Sequence, residues 1–310
     1  MNCRKNNKIL VTGSNGFVGK ALCQALRNRG ENFTGTLRHK ALAIKGQDYI
    51  IVDSLDENTD WREALHGCGT VVHLAGRAHV LNDNVVDPLS AFRLTNTQGT
   101  LNLAEQAAEC GVSRFIFLST IGVNGAATSG VPYSFLDSPS PHSPYAVSKL
   151  EAEVGLREIA KRAGMDYVII RAPAIYGKNA PGNFGLIEKC IRYGIPLPFG
   201  SINNKRSLIA IENIVSFIIV CIEHQRAKNQ LFLVSDDDDL STLEIVELLG
   251  KFIGKKTKTV NLPLKLLWLV LTVLGKRKAA VSLMSDLQVD VGRSRELLEW
   301  SPPFQPRKRS

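Results

Sequence analysis

The chain has 310 residues, of which 44% are hydrophobic and 22% are charged. This composition is typical of a globular protein and excludes a fibrous or disordered chain. The six scattered cysteines form no C-x-x-C pair, which disfavours a disulfide framework or structural zinc and indicates a reducing compartment. The net charge of +9 is interpreted as solvated surface charge, with attraction to an anionic substrate or a membrane as the alternative. We expect no nucleic-acid partner because the basic runs lack any nucleic-acid-binding motif.

The first predicted element is a buried strand over Lys8–Thr12, followed by a glycine-rich turn and a helix over 16–29. The turn has the spacing G-x-x-G-x-x-G, with glycines at Gly13, Gly16 and Gly19. Such glycines let the backbone turn tightly, approach a pyrophosphate and pack on the strand, while the helix N-terminus attracts phosphate. Plain turn chemistry is the alternative. We predict a dinucleotide site made by Gly13, Asn15, Gly16, Phe17, Val18 and Gly19.

Beyond this helix, apolar β-branched runs alternate with helical stretches. The predicted strands are Phe33–Leu37, Tyr49–Val52, Thr70–Leu74, Phe115–Ser119 and Tyr167–Arg171, and the predicted helices are Trp61–Leu65, Pro88–Cys110 and Pro144–Ala163. This alternation predicts an α/β fold with a Rossmann-like, doubly wound parallel sheet. We assign residues 1–172 to a dinucleotide-binding domain and expect 207–235 to return to it.

After residue 172 the sequence becomes rich in proline and glycine, and then mostly helical and basic. We expect residues 173–206 and 236–310 to form a smaller, mostly helical C-terminal substrate lobe. The elements predicted from there on are strands over 207–211 and 230–234, and helices over 185–192, over 213–223 and from Ser241, which forms a capping box with Glu244.

Two segments of this lobe have alternative interpretations. The run Asp236–Asp239 is interpreted as a solvated loop, with a metal site as the alternative; we expect no metal. The apolar stretch 263–275 is too short to span a bilayer and is predicted to be a helix buried on most sides, in the core or an oligomer interface. A helix in the membrane interface is the alternative, because Lys276, Arg277 and Lys278 follow it.

The end of the second strand bears on the choice of dinucleotide. NAD sites usually carry an acidic residue there, which binds the ribose 2′-hydroxyl. This chain instead has Arg38 and Lys40, which are able to pair with a 2′-phosphate. The sequence therefore favours NADP(H) over NAD(H), and solvated loop charges are the alternative.

A tyrosine and a lysine stand four residues apart at the start of the helix Pro144–Ala163. This spacing places Tyr145 and Lys149 on one helical face, where an ammonium group lowers the pKa of the phenol toward the range of a general base. Thr120 ends a predicted strand, where its hydroxyl is able to bind the same substrate oxygen. His73 is expected to pack and hydrogen-bond at the end of its strand rather than to catalyse.

Seven motifs together resemble the extended short-chain dehydrogenase/reductase superfamily, in particular the NAD-dependent epimerase/dehydratase family. They are TGSNGFVG (12–19), HLAG (73–76), NTQGT (96–100), FLST (117–120), YAVSK (145–149), RAPAIYG (171–177) and RSLIAIENI (206–214). The resemblance covers about residues 8 to 300. Within the family the chain most resembles bacterial UDP-sugar 4-epimerase-like enzymes and 4-reductases of UDP-4-keto-6-deoxy-N-acetylhexosamines in polysaccharide synthesis.

The resemblance implies roles for individual residues. Tyr145 would be the acid/base, Lys149 would assist it and bind the nicotinamide ribose, and Thr120 would be the hydroxyl partner. Further cofactor contacts would come from Asp53, Leu74, Ala75, Gly76 and Asn96, and the substrate diphosphate would be held by Asn183 and Arg206. A UDP-sugar substrate, a homodimer and a cytoplasmic location, with the inner face of the membrane as the alternative, are also implied.

The residues after Thr120 restrict the reaction. Related dehydratases carry an Asp-Glu pair there, whereas this chain has Ile121-Gly122-Val123-Asn124 and no carboxylate. We therefore predict hydride transfer at C4 of the sugar, as reduction of a UDP-4-keto-6-deoxy-N-acetylhexosamine for O-antigen or capsule. A UDP-glucose or UDP-N-acetylglucosamine 4-epimerase is the alternative. A non-catalytic nucleotide sensor is a distant third, because a sensor does not need the proton donor Tyr145.

Overall fold

The computed structural model describes residues 8–39, 48–78, 86–275, 277–305 and 307. Its strands are β1 (Lys8–Thr12), β2 (Phe33–Leu37), β3 (Tyr49–Ile51), β4 (Cys68–His73), β5 (Arg114–Thr120), β6 (Asp166–Ala172), β7 (Ile175–Tyr176), β8 (Ile209–Ala210) and β9 (Gln230–Leu233). The main sheet is parallel, in the order β3-β2-β1-β4-β5-β6-β9. The strand order reverses between β1 and β4, so the ligand crevice expected of such a sheet lies at their carboxyl ends.

Helices cover both faces of this sheet, as predicted for a doubly wound fold. They are α1 (Phe17–Asn28), α2 (Arg62–Leu65), α3 (Pro88–Phe92), α4 (Gly99–Glu109), α5 (Pro144–Ala163), α6 (Asn183–Arg192), α7 (Ile211–Glu223), α8 (Thr242–Phe252), α9 (Leu264–Val273), α10 (Arg277–Met284) and α11 (Gly292–Leu298). Leu22 of α1 and Phe217 of α7 join one core with Val11, whereas Leu103 of α4 and Leu156 of α5 join the opposite core. Alternate strand residues point to opposite faces, so both faces of the sheet are buried.

The helix that carries Tyr145 and Lys149 has the predicted bounds, Pro144–Ala163. Its start is capped by Ser143, whose hydroxyl accepts a hydrogen bond from the Ala146 N–H, and Pro144 occupies the first turn. It ends at Gly164, whose φ of 68° suits a residue without a side chain. These local signals fix the rotation of the helix and therefore the face on which Tyr145 lies.

The helical stretch predicted over Pro88–Cys110 is confirmed, but it contains a π-helical turn over Arg93–Gln98 between α3 and α4. The turn is held by side-chain bonds that an uninterrupted α-helix would not make. Thr97 Oγ1 donates to the Ser148 carbonyl over 3.0 Å, and the Asn96 amide bonds to the backbone of Arg77. Single π turns often lie at functional sites.

The segment 207–235 returns to the main sheet only in part. Its last strand, β9, pairs with β6 at the edge of the sheet. The earlier strand, β8, pairs instead with β7 in a separate two-stranded parallel sheet. This small sheet belongs to the core of the C-terminal lobe, where Tyr176 and Ala210 pack with buried residues of α8 and α9.

The segment Asp236–Asp239 is a loop before α8, as predicted, but it is only partly solvated, and each of its carboxylates has a protein partner. Asp236 is buried and accepts from the Tyr176 hydroxyl over 2.5 Å and from the Asn213 amide over 2.6 Å. The other three bind partners from distant parts of the chain: Asp237 pairs with Arg295, Asp238 with Arg307, and Asp239 with Ser207 and Gln288. Within the described residues no group of three potential ligands could hold a metal ion.

The prediction that the apolar helix near 263–275 is buried on most sides is wrong. It forms α9, as predicted, but only Leu267 of that helix is buried. Its neighbour α10 packs on it. Leu269, Val273 and the following Leu274 are 57%, 77% and 64% exposed. No helix among the described residues is long and apolar enough to cross a membrane.

Candidate active site

The glycine turn between β1 and α1 packs against the loop that follows β4. Gly13 has a φ of 66°, and a Cβ there would lie 2.8 Å from the Ala75 backbone nitrogen. A Cβ on Gly19 would lie 2.1 Å from the Gly13 carbonyl oxygen. Both positions therefore require glycine, and the N-terminus of α1 is held directly above the end of β1, as a phosphate cradle requires.

Two cavities meet at this glycine turn. The first, of about 490 Å³, is lined by Asn15, by Arg38 at the end of β2 and by Asp53 after β3. The second, of about 730 Å³, is lined by Phe17, Val18 and Gly19 and reaches Thr120, Tyr145 and Lys149. Both are lined by Gly13, Gly16 and the segment 74–78, so they form one continuous groove across the switch point of the sheet.

This groove fits a nicotinamide dinucleotide. Its two ends lie on either side of the glycine cradle, where a pyrophosphate would be held by backbone N–H groups. One end carries Arg38 and Asp53, both exposed, and the other carries the hydroxyls of Thr120 and Tyr145. Lys40, the second predicted contact for a 2′-phosphate, lies outside the described residues.

Tyr145 and Lys149 line the same cavity, but burial changes both pKa values in directions the sequence did not indicate. Burial raises the pKa of Tyr145 to about 12, so the expected lowering by the neighbouring ammonium is wrong for the chain alone. Burial lowers the pKa of Lys149 to about 7, and the carboxylate of Glu153 opposes that shift. The Lys149 ammonium lies 3.9 Å from the centroid of the Phe117 ring.

The side chains beside Tyr145 orient it and leave its hydroxyl facing the cavity. The ring of Phe92, in α3, contacts the Tyr145 ring edge-on at 5.8 Å between centroids. Thr120 ends β5 and caps the short 3₁₀ turn Ile121–Val123, because its Oγ1 accepts from the Gly122 N–H over 3.1 Å. The Thr120 hydroxyl hydrogen is then available to donate to an oxygen in the cavity.

A buried ion pair supports this site and was not predicted as functional. Arg171 and Glu153 are both almost fully buried, with Arg171 Nη2 2.7 Å from Glu153 Oε2. Ser119, the residue before Thr120, donates to Glu153 over 2.5 Å, and Arg171 donates to Asn124 over 2.9 Å. A signal was available in the sequence: Arg171 interrupts the apolar run of β6, and a charge inside a buried strand needs a partner.

Asn96 lies behind the groove rather than in it. Its Oδ1 accepts from the Arg77 N–H over 2.8 Å, and its Nδ2 donates to the Arg77 carbonyl and to Ser148 Oγ. A Cβ on Gly76 would lie 3.0 Å from Asn96 Oδ1. Asn96 therefore holds the segment 74–78 in place, which identifies it as a positioning residue.

The far end of the larger cavity carries Asn183 and Arg206. Asn183 is the first residue of α6, and it lines the cavity together with Gly182 and Phe184, at the helix end that carries unpaired backbone N–H groups. Arg206 donates to the Ser285 carbonyl over 3.0 Å, and burial lowers its pKa. Positive charge and a helix N-terminus in one wall suit an anion such as a diphosphate.

His73 packs at the end of β4, as expected from the sequence. Its Nδ1 lies 2.7 Å from Thr12 Oγ1 and its Nε2 lies 3.0 Å from Thr100 Oγ1, with its ring stacked on Phe117. The residue is fully buried, and burial lowers its pKa to about 3. The hydrogen bonds and ring contacts of His73 do not include Tyr145, and His73 itself lines neither cavity, so its role is structural.

This low pKa of His73 predicts acid sensitivity. In the unfolded chain the His73 imidazole has its ordinary pKa of 6.5 and is protonated below that pH. In the folded chain it stays neutral down to about pH 3, so between these two values only the unfolded chain binds this proton. The free energy of unfolding is therefore expected to fall with decreasing pH by about 1.4 kcal/mol per unit from this group alone. Urea unfolding at pH 7, 6 and 5 should show a shallower decline for His73→Gln than for the wild type. Parallel declines would contradict this assignment.

Comparison with known proteins gives a consistent family. Residues 9–234 match the model of the NAD dependent epimerase/dehydratase family. A UDP-glucose 4-epimerase of Vibrio cholerae is 42% identical over 300 residues, covering 95% of this chain and 90% of that protein. An N-acetyl-alpha-D-glucosaminyl-diphospho-ditrans,octacis-undecaprenol 4-epimerase of Escherichia coli O157:H7 is 28% identical over 263 residues, covering 83% of this chain and 76% of that protein.

Solved structures share the fold. The UDP-glucose 4-epimerase of Thermotoga maritima, determined with UDP-glucose, has a TM-score of 0.75 and 21% identity, covering 96% of this chain and 94% of that one. The UDP-glucuronic acid 4-epimerase of Bacillus cereus, determined with NAD, has a TM-score of 0.76 and 22% identity over 96% of this chain and 94% of that one. The match to the family model covers most of the chain and confirms the predicted resemblance. The chain belongs to the NAD-dependent epimerase/dehydratase family of enzymes.

Proposed function

We propose that this enzyme inverts C4 of a UDP-hexose or UDP-N-acetylhexosamine, as an NAD-dependent 4-epimerase. The observation that carries the proposal is the placement of Thr120, Tyr145 and Lys149 at one end of a groove whose other end fits the adenosine of a dinucleotide. The 42% identity to the Vibrio cholerae UDP-glucose 4-epimerase supports it. This reaction was the alternative in the sequence-based prediction and now replaces reduction as the first choice.

In this proposal Tyr145 removes the proton from the C4 hydroxyl and returns it to the C4 oxygen after the ketone has turned over. Thr120 donates to the same oxygen and fixes its position beside Tyr145. NAD⁺, held by the glycine cradle and the segment 74–78, supplies a hydride acceptor and a positive charge when bound. Lys149 adds a second cation near the phenol, and the two charges together favour the phenolate against the pKa of about 12 that burial produces in the chain alone.

The diphosphate of the substrate is assigned to Arg206, Asn183 and the start of α6. Two phosphate charges offset the cost of burying the Arg206 guanidinium, whose pKa burial lowers. We accordingly keep residues 1–172 as the cofactor-binding part, together with α7 and β9 from the segment 207–235. Residues 173–206 and 236–310 remain the sugar-binding part.

A direct assay tests the proposal. Purified protein is incubated with UDP-glucose or UDP-N-acetylglucosamine without added reductant, and the galacto and gluco products are separated by chromatography. Approach to one equilibrium ratio from either epimer is the expected result. No interconversion of either pair by folded protein with bound cofactor would overturn the proposal.

Reduction of a UDP-4-keto-6-deoxy-N-acetylhexosamine is the second candidate, and Arg38 is the observation that favours it. A reductase needs an external hydride donor, and Arg38 at the end of β2 is positioned to attract the 2′-phosphate of NADPH. Oxidation of NADPH in the presence of the 4-keto sugar would support this candidate. Proton delivery by Tyr145 would be the same in both reactions.

A preference for NADP(H) over NAD(H) would accompany the reductase candidate; it would depend on Arg38 and has its own test. Replacing Arg38 by Ala is expected to weaken NADP⁺ binding by about tenfold or more, because a charge-assisted contact to the 2′-phosphate is lost. NAD⁺ binding should change by about twofold or less, because NAD⁺ lacks that phosphate. Calorimetric titration of both dinucleotides measures the difference, with Arg29→Ala, an exposed arginine paired with Glu223, as the control. Equal effects on both dinucleotides would contradict the preference.

A further inference from the structure

The helix α9 and the residue after it carry more exposed large hydrophobic residues than any other described segment of this length. Six of the seventeen exposed large hydrophobic residues in the described part of the chain lie here, namely Leu264, Leu266, Leu269, Val270, Val273 and Leu274. Only Leu267 is buried, so the helix is attached to the lobe along a narrow line. A contiguous apolar surface of this kind marks a protein or membrane contact.

The charge around α9 has a single sign. Between Glu247 and Asp286 the sequence contains eight lysines and arginines and no aspartate or glutamate. Five of these cations are exposed to solvent, namely Lys251, Lys255, Lys256, Lys258 and Lys265. None of these five has an ion-pair partner among the described residues. This segment therefore accounts for most of the net charge of +9.

The charge distinguishes between two partners that could cover such a helix, a second copy of the chain and a lipid surface. A second copy of the chain seated on α9 would bring the five exposed lysines of each copy together, which like-charge repulsion opposes. An anionic lipid surface complements the same charges and accepts the leucines and valines between its headgroups. With ten residues, α9 is about 15 Å long, half the thickness of the hydrocarbon core, so it would lie on a bilayer rather than cross it.

We propose that α9, with the basic residues on either side of it, docks this enzyme on an anionic lipid bilayer. The apolar side chains enter the headgroup region, and the lysines pair with lipid phosphates. The helix that packs on α9 is α10, whose Ser282 and Leu283 line the sugar end of the large cavity. The docked surface is therefore separated from the sugar-binding cleft by a single helix. This property goes beyond the proposed C4 chemistry and does not depend on it.

Vesicle flotation of the full-length protein tests the proposal without reference to activity. We expect the protein to float with vesicles of phosphatidylglycerol and phosphatidylcholine and not with phosphatidylcholine alone. High salt should release much of it, because screening weakens the attraction of the lysines. Equal binding to both vesicle types, or no binding to either, would overturn the proposal; this arm requires no variant.

A pair of matched variants locates the contact. Leu269→Glu with Val273→Glu should lower the partition coefficient by about tenfold or more, since two apolar anchors become anions. Val131→Glu with Leu136→Glu, two highly exposed apolar sites elsewhere, adds the same charge and should have a much smaller effect. Circular dichroism melting verifies that each variant is folded. An equal loss of membrane binding in the two double variants would overturn the assignment to α9. The assignment would also be overturned if sedimentation showed that the Leu269→Glu/Val273→Glu variant no longer self-associates while it still binds membranes.

Discussion

Replacing Tyr145 by Phe is expected to lower kcat for C4 epimerisation by about 10³-fold. The variant keeps the ring that contacts Phe92 and removes only the hydroxyl that faces the cavity. In the proposed reaction no other described group both lines the cavity beside Thr120 and can take up and return this proton. Thr120 is too weak an acid to do so, and the Lys149 ammonium lies against the Phe117 ring.

Two controls separate loss of chemistry from loss of structure or cofactor. NAD⁺ binding by the Tyr145→Phe variant, measured by calorimetry, should stay within about threefold of the wild type, because the glycine cradle and the segment 74–78 are unchanged. Tyr167→Phe, at the start of β6 and outside the cavity lining, should keep full activity. Turnover of Tyr145→Phe within tenfold of the wild type would contradict the assigned proton transfer.

Replacing Glu153 by Gln is expected to lower the free energy of unfolding by about 3–5 kcal/mol, through loss of the buried ion pair. The carboxylate is the partner of Arg171, whose side chain is 3% exposed, and it also accepts from Ser119. An amide of the same shape leaves the guanidinium charge uncompensated inside the protein. Urea unfolding of the cofactor-free protein at pH 7 measures the difference.

The matched control for this variant is Glu151→Gln, two residues earlier in the same helix. Glu151 pairs with Arg93 at a partly exposed position, and such pairs contribute about 0–1 kcal/mol. A cost for Glu153→Gln no greater than that for Glu151→Gln would mean that the buried pair does not stabilise the end of β5. Activity should also fall in Glu153→Gln, because Ser119 precedes Thr120 and Glu153 lies one turn after Lys149.

The parts of the fold with strong local signals were predictable from the sequence. The bounds of β1, β2 and α5 agree with the prediction, because each has an apolar run or a cap at its ends. The glycine turn was predictable for a similar reason: Gly13 and Gly19 stand where a side chain would collide with backbone. These features depend on neighbours in the sequence or on a short strand–turn–helix unit.

Features that depend on distant partners were not predictable. The sequences of β8 and β9 both predict a strand, and only the folded chain shows that β8 pairs with β7. The π turn that places Asn96 behind Gly76 depends on bonds to Arg77 and to Ser148, in another helix.

Apolar content alone also misled the prediction for α9. A run of leucines and valines indicates burial whether the covering surface belongs to the same chain or to another partner. The exposure of Val273 and the basic residues on either side distinguish the two cases only once the helix is placed on the lobe.

Incubation with a C4-deuterated UDP-sugar tests most directly whether this site performs epimerisation. UDP-glucose and UDP-N-acetylglucosamine labelled at C4 are each incubated with the purified protein, without added reductant, and the products are analysed by mass spectrometry and NMR. We expect the epimer to form with deuterium retained at C4, because the hydride that leaves that carbon returns to it on the opposite face. Loss of the label to solvent, or conversion only of a 4-keto sugar at the expense of NADPH, would contradict the account.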